Sequence, residues 1–165
     1  MASSNRAVKV AEKPRRKAAS TVSYEHDFYA WSFEQARALR EHRTAALDWE
    51  NLAEEIESLG RSDRDSLRSR LTVIVSHLLK LQYQPKKRST SWLVSITTQR
   101  ADVQGVLARG PSLRPRLPEI LIEAYKTARK VASLEMGLGK RDRHLLPDEC
   151  PFTVAQVLDD EFFPD

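Results

Sequence analysis

A single cysteine, Cys150, excludes an intramolecular disulfide and any zinc site built on paired thiolates. A lone thiol fits a reducing compartment, so the expected location is cytoplasmic. No apolar run approaches the roughly 18 residues that a membrane-spanning helix needs. The most apolar stretch, Leu71 to Leu81, is interrupted by Ser76, His77 and Lys80. No segment alternates apolar and polar residues with a period of two, which argues against a sheet, and no unit of about 20–50 residues recurs, which argues against a solenoid. Missing too are a phosphate-binding P-loop, a GxGxxG turn, an HExxH metal motif and a nucleophile elbow. No motif here specifies a reaction by itself.

What is present suits one helical domain. The 165 residues are 41% hydrophobic and 30% charged, enough to fill a core and to cover it. The net charge of +4 is unevenly placed. Arg6, Lys9, Lys13, Arg15, Arg16 and Lys17 stand against Glu12 in residues 1–22, a net of +5, while the rest of the chain holds 21 basic and 22 acidic side chains. Residues 1–22 are rich in Ala, Ser, Lys and Arg and hold no aromatic residue. They cannot bury enough surface to order themselves, and with no apolar h-region they are expected to be a disordered basic tail and not a secretory signal. The domain is expected over 23–165. Its own charges are segregated: residues 41–60 hold six acidic side chains and one Arg, 61–116 hold twelve basic and three acidic, and 144–165 hold six acidic and no Lys or Arg. Pairing of acidic with basic helices inside the fold explains this; a basic face for RNA over 61–116 is the sharper alternative.

Periodicity predicts an all-α, single-domain bundle of five main helices and a short C-terminal one. The first runs from Ser23 to Arg40, with Asp27 in its first turn and Phe28, Trp31, Gln35 and Leu39 at helical spacing; its aromatic cluster reads as core. The second spans Asp48 to Leu59, with Trp49, Leu52, Ile56 and Leu59 as its apolar stripe and Gly60 as its stop. The third runs from Asp63 to Tyr83 behind a capping-box-like Ser62 and Asp65. Leu67, Leu71, Ile74, Leu78 and Leu81 form its main face, with Val73, Val75 and Leu79 widening it, so this helix is expected to be central. The fourth covers Ser91 to Ala108, with Trp92, Ile96, Val103 and Leu107 inward. The fifth covers Ser112 to Met136, with Pro115 and Pro118 near its start and Gly137 at its end. Residues 138–151 read as loop. Thr153 caps a final helix to Asp159, and Phe162 and Phe163 are expected to dock onto the body.

The segments YEHDFYAW (24–31), DWENLAEEIESLGRSDRDSLRSRL (48–71), HLLKLQYQP (77–85), SW (91–92), PSLRP (111–115) and CPFTVAQVLDDEFFP (150–164) together resemble the bacterial domain-of-unknown-function family numbered 29. The likeness runs from Tyr24 to Pro164. It implies a compact helical protein of a bacterial cell and brings no activity and no catalytic residues with it.

Three constellations can carry chemistry. Arg70 and His77 are seven residues apart, so both project from one side of a helix, about 10 Å apart along its axis. As R-x(6)-H they are similar to the active-site motif of the HEPN (higher eukaryote and prokaryote nucleotide-binding) domains, in which His serves as acid or base and Arg stabilises a pentavalent phosphate. The departure is Leu71, where that motif has a polar residue. The alternative is a core-flanking His bonded to a carboxylate of the second helix. Next, Glu54, Glu55 and Glu57 facing His77 could hold a metal, but no Glu-x-x-His pair supports it, so no metal or cofactor is expected. If the second and third helices are antiparallel neighbours, one of these carboxylates should contact Arg70 or His77. Lastly, Lys80, Tyr83 and Trp92, with the basic run between them, could stack bases and hold phosphates; a loop tether with a buried Trp92 explains them as well.

The reading is a helical interaction or regulatory module whose partner is a protein, a second copy of the chain, or RNA through residues 61–116, with no membrane. The alternative is a HEPN-like, metal-independent ribonuclease, the toxin of a toxin–antitoxin pair, using Arg70 and His77.

Overall fold

Five α-helices carry the chain in the computed structural model, which describes residues 22–139 and 142–164: α1 (Phe28–Arg40), α2 (Trp49–Tyr83), α3 (Thr90–Arg109), α4 (Leu117–Glu135) and α5 (Val154–Leu158). Among the described residues there is no strand, so the fold is all-α. The basic tail expected at 1–22 lies, apart from Val22, outside them. Short 3-10 turns at Thr44–Ala46, Pro85–Lys87, Pro111–Arg116 and Arg143–Leu145 join the helices.

The largest departure from the sequence reading is α2. The expected second and third helices are one 35-residue helix that passes through Gly60. A glycine inside a helix costs about 1 kcal/mol relative to alanine, which weakens a helix without ending it. A glycine ends one when it takes a left-handed conformation, and Gly137 does so, with φ at +72°. There Leu138 N–H donates to Ser133 O at 2.9 Å and Gly137 N–H to Leu134 O at 3.0 Å, closing α4 in a Schellman motif. The fifth expected helix also starts later. Pro111–Arg116 forms a 3-10 turn and α4 opens at Leu117, because Pro115 and Pro118 have no N–H to offer and fit only a helix entrance.

The chain groups into two compact units, one ending at Glu57 and one beginning at Ser58. A boundary within a continuous helix carries no linker composition, which is why the sequence shows none there.

The second unit is built on the main face expected for its central helix. Leu67, Leu71, Ile74, Val75, Leu78, Leu79 and Leu81 of α2 are buried with Ile96, Val103 and Leu107 of α3 and Ile120, Ala124 and Ala128 of α4. Val73 alone of the expected set is exposed. Thr153 caps α5 through a reciprocal capping box with Gln156, and Phe162 and Phe163 pack against this core as expected.

In the first unit the expected core faces are largely wrong. Only Trp31, Gln35 and Ala38 of α1 are buried, whereas Phe28 and Leu39 are exposed. The α2 stripe is exposed as well at Trp49 and Ile56, and so is Leu59 just past the unit's end. An amphipathic pattern identifies an apolar face but not what covers it, and in this short unit Trp31, Gln35 and Ala38 are the side chains that α1 buries.

Candidate functional site

Arg70 sits on α2 one turn after Ser66, with Gln99 and Asp102 of α3 opposite. Its Nη1 is paired with the Asp102 carboxylate and donates to Gln99 Oε1 at 3.2 Å, and its Nε donates to Ser66 Oγ at 3.3 Å. The guanidinium is thus engaged by one carboxylate and two neutral acceptors. The carboxylate comes from α3, not from Glu54, Glu55 or Glu57. The physical reason is that α2 does not turn back after Leu59, so the glutamates of its first turns are not delivered beside Arg70 by an antiparallel neighbour.

Two turns on, the His77 ring stacks on Trp92 with centroids 6.4 Å apart and planes at 28°. Its Nδ1 is buried with no hydrogen-bond partner among the described residues, in place of the expected bond to a carboxylate. Burial, and then the nearby Lys80 charge, hold its pKa below the ordinary histidine range, against a smaller opposite pull from Glu135. Lys80 is itself buried: its Nζ is paired with Glu135 of α4 and lies 4.5 Å from the centre of the Trp92 ring. His77, Lys80 and Trp92 are therefore brought together on α2 and α3, with Glu135 as a fourth member that sequence spacing gave no reason to choose. Tyr83 lies partly exposed at the end of α2.

A neutral His77 ties stability to pH. Its pKa is lower folded than unfolded, so below about pH 6.5 the unfolded chain takes up a proton that the folded chain resists. Stability from this group is full above that value and is lost as pH falls towards the folded pKa. Between pH 7 and 5 the urea midpoint of the wild type should fall more than that of His77→Phe, which keeps the stacking ring and cannot protonate. Parallel curves for the two proteins would show that His77 does not titrate this way.

The basic residues of α2 find other acids: Arg64 bonds Glu123 at 2.7 Å and Glu119 at 3.4 Å, and Arg68 reaches Asp65 at 3.2 Å. Much of the expected basic face is in this way neutralised inside the second unit. Among the described residues, no group of three or more His, Cys, Asp or Glu side chains comes together to hold a metal.

One buried cation escaped the sequence reading. Arg100 of α3 is fully buried, and it donates to the carbonyls of Val157 at 2.9 Å, Gln156 at 3.3 Å, Asp160 at 3.4 Å and Phe162 at 2.8 Å, with the Phe163 ring 5.1 Å from its Cζ. The signal was available: Ile96, Arg100, Val103 and Leu107 follow helical spacing, which puts Arg100 within the apolar stripe. Between α4 and the C-terminal segment lies a groove of about 550 Å³ that includes Leu121, Tyr125, Cys150 and Phe152. Burial pushes the Cys150 thiol up, and pushes Tyr125, bonded to Pro147 O, up to about 12, so both stay protonated near neutral pH. Neither is poised as a nucleophile.

In the first unit, side-chain hydrogen bonds hold Trp31 and its neighbours in place. Trp31 Nε1 donates to Asp48 Oδ2 at 3.3 Å, Asp48 N–H donates to Gln35 Oε1 at 2.8 Å, and Tyr24, whose ring meets Trp31 edge-on at 4.8 Å, donates its hydroxyl to Glu55. Glu55 is thus spent on structure, while Glu54 and Glu57 lie on the surface. Tyr29 and Phe33 lie against each other, centroids 4.8 Å apart, with 74% and 60% of their surface exposed; Trp49 is 62% exposed.

A family model described as "Domain of unknown function DUF29" matches residues 23–163. No curated protein and no solved structure matches the chain.

Proposed function

The chain belongs to the DUF29 family, a domain of unknown function, and from that premise we propose that it is a protein-interaction module of the bacterial cytoplasm. One observation carries the reading: Tyr29, Phe33 and Trp49 expose most of their rings on one small unit. Exposed aromatic side chains of this size favour docking, because large rigid rings bury much area at little entropic cost. No described helix is long and apolar enough to cross a membrane. The ribonuclease reading of Arg70 and His77 draws little support from the pair's surroundings. Arg70 is held by Asp102, Gln99 and Ser66, and His77 faces Trp92.

The test uses the tagged chain expressed in its native host and sized in a gentle lysate. The wild type should elute in a species larger than the free chain. Phe33→Glu and Trp49→Glu should return it to the free size, and Arg70→Ala should not. The reading is overturned if both glutamate variants remain in the larger species, or if the purified wild type cleaves RNA without metal and Arg70→Ala abolishes that cleavage.

A further inference from the structure

The start of α2 has two chemically distinct sides. Trp49 and Ile56 are seven residues apart and so lie within about 20° of each other around the helix. Ala53 sits about 40° from Trp49, and Leu52 lies on the other side of Ile56. Trp49, Ala53 and Ile56 are exposed, Ile56 at 68%, and Leu52 is half-buried. Next around the helix, at about 80–140° from Trp49, come Glu57, Glu50 and Glu54, all exposed. An apolar strip thus runs beside an acidic strip for about two turns.

We propose that this face takes a basic amphipathic helix, with apolar side chains on Trp49 and Ile56 and with Lys or Arg along Glu50 and Glu54; the inference rests on the interaction-module reading and names the partner's chemistry. Charge decides among the occupants. A nucleic acid or an anionic membrane surface would bring like charge to Glu50 and Glu54. A second copy of the same face would set glutamate against glutamate in an antiparallel pairing, and in a parallel one would set Glu50 and Glu54 against the flank of Asp48 and Glu55, which offers no cation. The chain's own residues 1–22 have the right sign, but with no Leu, Ile or aromatic residue they cannot fill an apolar strip of this kind. A helix carrying both an apolar stripe and a basic flank satisfies both strips at once.

The probe is a labelled 18-residue peptide of Leu and Lys, with Leu at helical spacing, titrated into the full chain and followed by anisotropy. The control is the same peptide with Glu in place of Lys. The Lys peptide should bind at least tenfold more tightly than the Glu peptide, and its binding should weaken several-fold as salt rises and screens the pairs. Ile56→Glu should weaken it at least tenfold. The double variant Glu50→Lys, Glu54→Lys should reverse the preference between the two peptides. Circular dichroism checks that these surface variants stay folded. Equal binding of both peptides would overturn the charge assignment while leaving an apolar docking face in place. Failure of both peptides to bind would overturn the inference, as would a wild-type dimer that Ile56→Glu dissociates. The interaction-module reading is judged separately, by the native-host elution of Phe33→Glu and Trp49→Glu.

Discussion

Replacing Arg100 with alanine is expected to destabilise the protein by about 3–5 kcal/mol and to loosen the segment from Gln156 to Phe163 first. The guanidinium has no exposed surface, and its bonds run to four backbone carbonyls of that segment. A hydrogen bond to a charged donor contributes about 1.5–3 kcal/mol, but burying the cation costs several kcal/mol, so the four bonds together yield a much smaller net gain than their sum. Removing the side chain is worse than never having had it. The carbonyls lose their donors, a cavity opens beneath Phe163, and the surrounding structure relaxes only in part. Arg100→Lys should rescue little, because one ammonium cannot span acceptors arranged around a planar fork. Urea unfolding measures the total, and native-state hydrogen exchange at residues 156–163 locates it. A loss below about 1 kcal/mol, or unchanged exchange there, would show that the segment is held by Phe162 and Phe163 packing alone.

Leu78→Ala should cost about 2–5 kcal/mol. Leu78 is fully buried on the inward face of α2, between Leu71 and Leu81 of the same stripe, in the cluster that also holds Ile96, Ile120 and Ala124. The loss combines the transfer free energy of the deleted atoms with the cavity left behind, and a core fed by three long helices collapses poorly around a hole. Val73→Ala, five residues earlier on the same helix but on its exposed side, should change stability by less than about 0.5 kcal/mol. The contrast in urea midpoints between the two variants reads the burial of α2 directly. Similar costs at both positions would mean that the inward face is misplaced.

Much of this fold is legible in the residues. The leucine and isoleucine spacing from Leu67 to Leu81 identifies the central helix and its buried face, because a stripe that wide can only be satisfied from several sides. Thr153 with Gln156, and Gly137 after α4, mark their helix ends through local hydrogen bonding that needs no distant partner. Gly60 misleads for the opposite reason. Glycine is compatible with both a stop and a passage, and its φ, which depends on the flanking packing, decides between them.

The candidate site divides along the same line. Spacing alone puts Arg70 and His77 on one side of a helix, and that side holds. Composition and periodicity determine that the fold is all-α, that the Leu67–Leu81 stripe of α2 carries the core, and that the excess positive charge lies in residues 1–22. Which acid meets which base was decided only in three dimensions. Asp102 takes Arg70, Glu135 takes Lys80 and Trp92 takes His77, across separations that no helical period encodes. The same holds for which apolar stripe stays bare. Trp49 and Ile56 read as core because a one-dimensional pattern reports the presence of an apolar face, whereas its burial depends on whether the fold supplies a second surface to cover it, and here the first unit does not.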